Sequence, residues 1–142
     1  MAEKKTVFLT GASGHMGWAG FKELYKKKDK LNIVLLLRDS EKNRKKFANY
    51  LNDPSVKIVW GDLKKYDDVL KCVEGSDYVL HVGGMVSPSA DYYPTKTIQT
   101  NTTAAKNIVD AVKAQPNKDD IKVVYIGTVA QTGDRNAPIL WA

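Results

Sequence analysis

The chain has 142 residues, 43% hydrophobic and 27% charged, with a formal net charge of +6. This is the composition of one soluble globular domain, large enough for a proper core and small for a complete two-domain enzyme. No apolar run approaches the ~20 residues needed to span a bilayer, and the opening Met-Ala-Glu-Lys-Lys leads into too short an apolar stretch for a signal peptide. The one cysteine, Cys72, excludes an internal disulfide and a cysteine-rich metal site.

A cytoplasmic protein with no metal centre and no membrane partner is therefore expected. The basic residues are scattered, the densest runs (26–28 and 44–46) fall at helix ends or on polar faces, and no nucleic-acid motif accompanies them. They read as a solvated surface and not as a nucleic-acid site.

In chain order, residues 6–10 read as a strand that runs into three glycines spaced three apart, Gly11, Gly14 and Gly17. A helix is expected from about 14 to 28, with Gly17, Phe21 and Leu24 on one face and three lysines at its negative end. Strand, glycine-rich turn and helix together aim backbone N–H groups at a phosphate. One glycine permits the turn, one lets backbone approach a pyrophosphate, and one lets helix pack close to strand. The spacing is G-x-x-G-x-x-G, a variant of the general G-x-G-x-x-G fingerprint.

Residues 32–37 form a near-continuous apolar run, as in a strand covered on both faces. Ser40 then suits the N-cap of a helix carrying Phe47, Tyr50 and Leu51, which Asn52-Asp53-Pro54 stops. A third strand over 56–60 leads through Gly61-Asp62-Leu63 to a short helix with Tyr66, Val69, Leu70 and Val73 inward, ended by Gly75. Cys72 sits among these apolar residues as a small core side chain.

A fourth strand over 77–82 opens onto Gly83-Gly84. After a Ser/Pro/Tyr-rich loop, a long helix from about 95 to 115 carries Ile98, Asn101, Ala105, Ile108 and Val112 along one stripe. Residues 121–126 give a fifth strand with Gly127-Thr128 at its end, and 129–142 show no clear periodicity. Five apolar strands alternating with four helices imply an α/β domain with a doubly wound parallel sheet, Rossmann-type, strand order 3-2-1-4-5.

Ligands of such sheets bind beyond the carboxyl ends of the strands. After the second strand stands Arg38, about 20 residues past the glycine loop, where an acidic residue suits a ribose hydroxyl and a basic one a 2′-phosphate. A guanidinium grips phosphate with paired hydrogen bonds, and Lys42 and Lys45 could add charge to the same pocket. The adjacent Asp39 leaves open a plain surface ion pair. After the third strand, Asp62 either accepts from an adenine amino group, with Leu63 beside the ring, or caps the following helix. Gly83 and Gly84 either let a cofactor pass close to the backbone or begin a loop. Asn101 either bridges groups around the site or ties its helix to the loop after the fourth strand.

In order along the chain, the run 10–17, Arg38-Asp39, Gly61-Asp62-Leu63, the His-Val-Gly-Gly of 81–84, Asn101 with 107–112, and 123–128 resemble the extended short-chain dehydrogenase/reductase family. This is the group of NAD-dependent sugar epimerases, dehydratases and dihydroflavonol-type reductases, and the resemblance covers about residues 5 to 133. It implies that Gly11, Gly14 and Gly17, with Ser13, His15 and Met16 between them, bind a dinucleotide pyrophosphate. It further implies that Asp62 and Leu63 hold the adenine, and that Arg38 favours NADP, with NAD an alternative. Thr128 falls where the family has its catalytic Ser or Thr. The family's neighbouring Ser-Ser is Gly127-Thr128 here, and its later Tyr-Gly is Thr132-Gly133.

The family chemistry also needs a Tyr-x-x-x-Lys pair on the helix after the fifth strand. Tyr92 and Lys96 match that spacing but precede the fourth helix and enclose Pro94, so they read as loop and helix start. The expectation is a truncated cofactor-binding portion of an oxidoreductase or epimerase, inactive alone and lacking the part that holds a small-molecule substrate. Homodimerisation of the intact protein is left open. The competing expectation is a non-catalytic NAD(P)-sensing domain.

Overall fold

The computed structural model describes residues 4–82 and 94–125, the side chains of 94–100 excepted. Five strands, β1 (Lys5–Thr10), β2 (Leu31–Leu37), β3 (Val56–Trp60), β4 (Tyr78–His81) and β5 (Lys122–Tyr125), form one sheet in the order β3-β2-β1-β4-β5. Every pairing is parallel. The crossovers carry helices α1 (His15–Tyr25), α2 (Glu41–Lys46), α3 (Tyr66–Val73) and α4 (Pro94–Lys113). This is the expected doubly wound arrangement.

The apolar run of β2 is explained by burial on both sides. Val34 and Leu36 join Phe8, Val69, Cys72, Val73, Val79, Ile108 and Ala111 in a core under α3 and α4. Ile33, Leu35 and Leu37 face the other way, into a core with Leu9, Ala12, Phe21 and Phe47 under α1 and α2. Alternation along a pleated strand thus splits one apolar sequence between two cores. Cys72 is fully buried, and burial pushes its thiol up to about 12, as befits an inert core side chain.

Two helix ends and one helix face differ from the sequence reading. α1 stops at Tyr25, and Lys27 and Lys28 continue it only through tight bonds to the carbonyls of Leu24 and Tyr25, a common loosening of a last turn. α2 ends at Lys46, so Phe47 and Tyr50 lie beyond it, Tyr50 within a 3-10 turn over Ala48–Tyr50. The spacing of three places both rings on Phe21, while Leu51 is left exposed. On α4 the buried residues are Ala104, Asn107, Ile108, Ala111 and, just past its end, Gln115. The inward stripe is thereby rotated off Ala105 and Val112, which are half-buried. Ile98 lies outside the described side chains. Gly75 follows α3 at φ +79°, the left-handed stop expected there. Among the described residues no helix is long and apolar enough to cross a membrane.

Candidate functional site

The site is built at the carboxyl ends of β1, β2, β3 and β4. Gly11 turns the chain out of β1 at φ +75°, a conformation that disfavours a side chain. Its carbonyl accepts from the Gly14 amide at 3.0 Å, closing a tight loop. Gly17 then lies against the start of that loop: a Cβ there would stand 1.7 Å from the Gly11 oxygen and 2.3 Å from its carbonyl carbon. The close helix–strand approach expected of one glycine therefore belongs to Gly17.

Gly14 differs. It is the N-cap of α1 with ordinary extended backbone (φ −86°, ψ 175°), and a Cβ would meet only the Gly11 oxygen at a comfortable 3.5 Å. Nothing in the described chain requires glycine here. A Ser, Thr, Asp or Asn would cap the helix better, yet among the described residues no side chain caps it, and no acidic residue stands in its first turn. The amides of His15, Met16 and Gly17 find no acceptor among the described residues. An uncapped helix start with free amides at a sheet switch point suits an anion. Ser13, His15 and Met16 are exposed around it, Met16 to 62%.

Among the described basic residues, Lys46 is the one that reaches this loop. Its ammonium donates to the Ser13 carbonyl at 3.0 Å and lies 4.6 Å from the Trp18 ring centre. Lys45 instead pairs with Glu41 on the exposed face of α2, and neither Lys42 nor Lys45 lines the neighbouring cleft. The sequence reading missed Lys46; its position at the end of α2, two turns past Arg38, offered no signal beyond its charge.

That cleft opens between the ends of β2 and β3 and is lined by Arg38, Asp39, Trp60, Gly61, Asp62, Lys65 and Asp68. Ser40 caps α2 by accepting from the Asn43 amide, and Asn43 turns inward to donate to the Arg38 carbonyl at 2.9 Å. The Arg38 side chain is exposed, with no hydrogen bond or ion pair among the described residues. Asp62 accepts from the Lys64 amide at 2.9 Å and so shapes its own turn, but it does not cap the helix that follows: the N-cap of α3 is Lys65, with no side-chain cap hydrogen bond. The Asp62 amide in turn donates to Asp68 at 3.0 Å. Leu63 packs on the core under α3, and its carbonyl accepts from Asn107 at 2.8 Å. The amide that secures this turn is thus the buried Asn107, and the half-buried Asn101 engages other neighbours.

At the β1–β4 seam the Thr10 hydroxyl accepts from the Val82 amide at 2.9 Å and shares a buried hydrogen bond with Nδ1 of His81 at 2.8 Å. This fixes the spacing of the two strands whose divergence creates the switch point. Burial holds the His81 imidazole below its ordinary value. Protonation therefore favours the unfolded chain, whose histidine titrates near 6.5. Stability is expected to be fully present above that pH and to fall as pH drops through the folded value, by at most about 1.4 kcal/mol per pH unit. Urea unfolding between pH 7.5 and 5 checks this, and His81→Gln is expected to flatten the slope.

Gly83, Gly84 and Thr128 lie outside the described residues, as does Tyr92. Pro94 opens α4, the helix position where its missing N–H costs nothing.

The sequence model of the NAD dependent epimerase/dehydratase family matches residues 7–139. A UDP-glucose 4-epimerase of Rickettsia bellii is 33% identical over 128 residues, which cover 87% of this chain and 36% of that protein. Among solved structures, Pen from Bacillus thuringiensis superposes with a TM-score of 0.73 at 26% identity, over 87% of this chain and 37% of its own. The fold also matches the Bordetella bronchiseptica enzyme WbmH in complex with NAD+, with a TM-score of 0.70, 22% identity and coverage of 92% and 41%. The chain thus spans little more than a third of the length of these relatives.

Proposed function

The chain belongs to the NAD dependent epimerase/dehydratase family, and from that premise we propose that it is the dinucleotide-binding portion of an enzyme that moves a hydride to or from a carbonyl or alcohol carbon. The net reaction is a reduction, an epimerisation or a dehydration. The observation that carries this reading is the start of α1: a helix that, among the described residues, has no side-chain cap and no acceptors for its first-turn amides, behind a loop whose middle glycine those residues do not require. A pyrophosphate fits that cradle by charge and by the absence of a side chain.

In this reading Gly11, Ser13, Gly14, His15, Met16 and Gly17 bind the pyrophosphate through backbone, with Lys46 steadying Ser13 and adding positive charge. Arg38, Asp62 and Leu63 surround the adenosine half, with the Arg38 guanidinium on a ribose 2′-phosphate, which makes NADP the favoured cofactor over NAD. Gly83 and Gly84 line the passage toward the nicotinamide, and Asn101 supports the loop after β4. Thr128 hydrogen-bonds the reacting oxygen of the substrate. The bound nicotinamide supplies the hydride acceptor or donor; the chain's part is to bind and orient it. The Rickettsia relative makes a nucleotide sugar the substrate class to try first.

Cofactor choice is directly measurable. Titrated calorimetrically, the chain is expected to bind NADPH more tightly than NADH, and Arg38→Asp to erase or reverse that order. Equal affinities in the unmodified chain would reduce Arg38 to a surface residue.

A further inference from the structure

Arg38 and Asp39 give opposite signals to a ribose, because a basic group at this place suits a 2′-phosphate and an acidic one a 2′-hydroxyl. A second arginine bears on that conflict. Nε of Arg44 donates to Oδ1 of Asp39 at 2.6 Å. Its guanidinium carbon also lies 4.5 Å from the centre of the Trp60 ring. Arg44 is thus gripped from two sides, by the carboxylate that follows β2 and by the indole that ends β3. Asp39 and Trp60 line the same cleft as Arg38, Gly61 and Asp62.

We propose that Arg44 determines cofactor specificity: by occupying the Asp39 carboxylate it withdraws the group that suits a ribose 2′-hydroxyl and leaves Arg38 to read a 2′-phosphate. The inference rests on the dinucleotide reading above. Asp39 and Arg44 together carry no net charge, so the carboxylate next to Arg38 in the chain is compensated when a phosphate arrives there. The indole limits how far the guanidinium swings away. Both partners are more than half exposed, at 59% and 51%, so the pair adds little to fold stability. Its consequence is for which ribose the cleft accepts. The Asp39 carboxyl sits below the usual carboxylate range, chiefly through the hydrogen bond from Arg44, as expected of a committed acceptor.

Calorimetric titration of the 142-residue chain with NADP+ and with NAD+ tests the inference. Arg44→Met keeps an apolar stem against Trp60 and removes the charge. It is expected to narrow the NADP+ over NAD+ preference about fivefold with an unchanged urea midpoint, and the Arg44→Met/Asp39→Asn double variant is expected to restore it. Equal weakening of both cofactors by Arg44→Met, or a double variant that keeps the narrowed ratio, overturns the inference and makes Arg44 a general phosphate contact. An unmodified chain that binds both cofactors equally also overturns it, while leaving the dinucleotide reading intact. A chain that binds neither overturns that reading and the inference together.

Discussion

Gly17→Ala is expected to lower the unfolding free energy by about 3 kcal/mol or more. The added methyl would fall 1.7 Å from the Gly11 oxygen, 2.3 Å from its carbonyl carbon and 2.9 Å from the Ala12 nitrogen. All three are backbone atoms at the exit of β1, in the middle of the sheet, so no side chain can rotate aside. Either α1 lifts from the sheet or the loop unwinds, and both routes expose part of the core beneath α1. Gly20→Ala on the same helix provides the control. A Cβ there meets nothing within 4 Å, and alanine is expected to stabilise the helix by about 0.5–1 kcal/mol. Urea unfolding of the two variants checks the pair. A Gly17→Ala chain as stable as the parent would mean that helix and loop are not packed as described.

Phe21→Ala is expected to cost about 3–5 kcal/mol. The ring is fully buried and lies 4.9–5.8 Å, centre to centre, from those of Trp18, Tyr25, Phe47 and Tyr50. Tilted and edge-on aromatic pairs add stabilisation beyond the buried area. Phe21 is the point where α1 meets the segment after α2. Its loss also loosens the placement of Lys46, whose ammonium holds the Ser13 carbonyl of the glycine loop. Phe21→Leu keeps most of the volume and is expected to cost well under half as much. Equal loss from the two variants in urea unfolding would indicate a role for Phe21 beyond filling this cluster.

The sheet was legible because period-two alternation on a doubly covered strand leaves a continuous apolar run, and residues 32–37 show one. The glycine loop was equally legible, since its three glycines are separated by a spacing that only a tight turn into a helix uses well. The inward face shared with Phe21 and Leu24 already marks Gly17 as the close-packing glycine, and the 1.7 Å overlap there bears this out; the room for a Cβ at Gly14 is what the sequence does not show. Helix faces were harder to read. On α4 a shift of one residue rotates the stripe by ~100°, which takes Ala105 and Val112 off the buried face and brings Ala104, Asn107 and Ala111 onto it. The grip of Arg44 on Asp39 and Trp60 joins residues from the loop after β2, α2 and β3. No local periodicity encodes such a contact. Lys46 was hidden for the same reason, being one lysine among several on a short helix.

The central claim is that the loop at the start of α1 is a pyrophosphate cradle in which Gly14 serves the ligand and not the fold. Calorimetric titration of NADP+ into the parent chain and into Gly14→Ala tests it most directly, with urea unfolding of both as the reference. The variant is expected to fold with a loss of no more than about 1 kcal/mol, the cost of alanine at an N-cap. Its affinity for NADP+ is expected to fall at least about tenfold, through a methyl placed against the pyrophosphate. Undiminished binding by a folded Gly14→Ala chain would contradict the account.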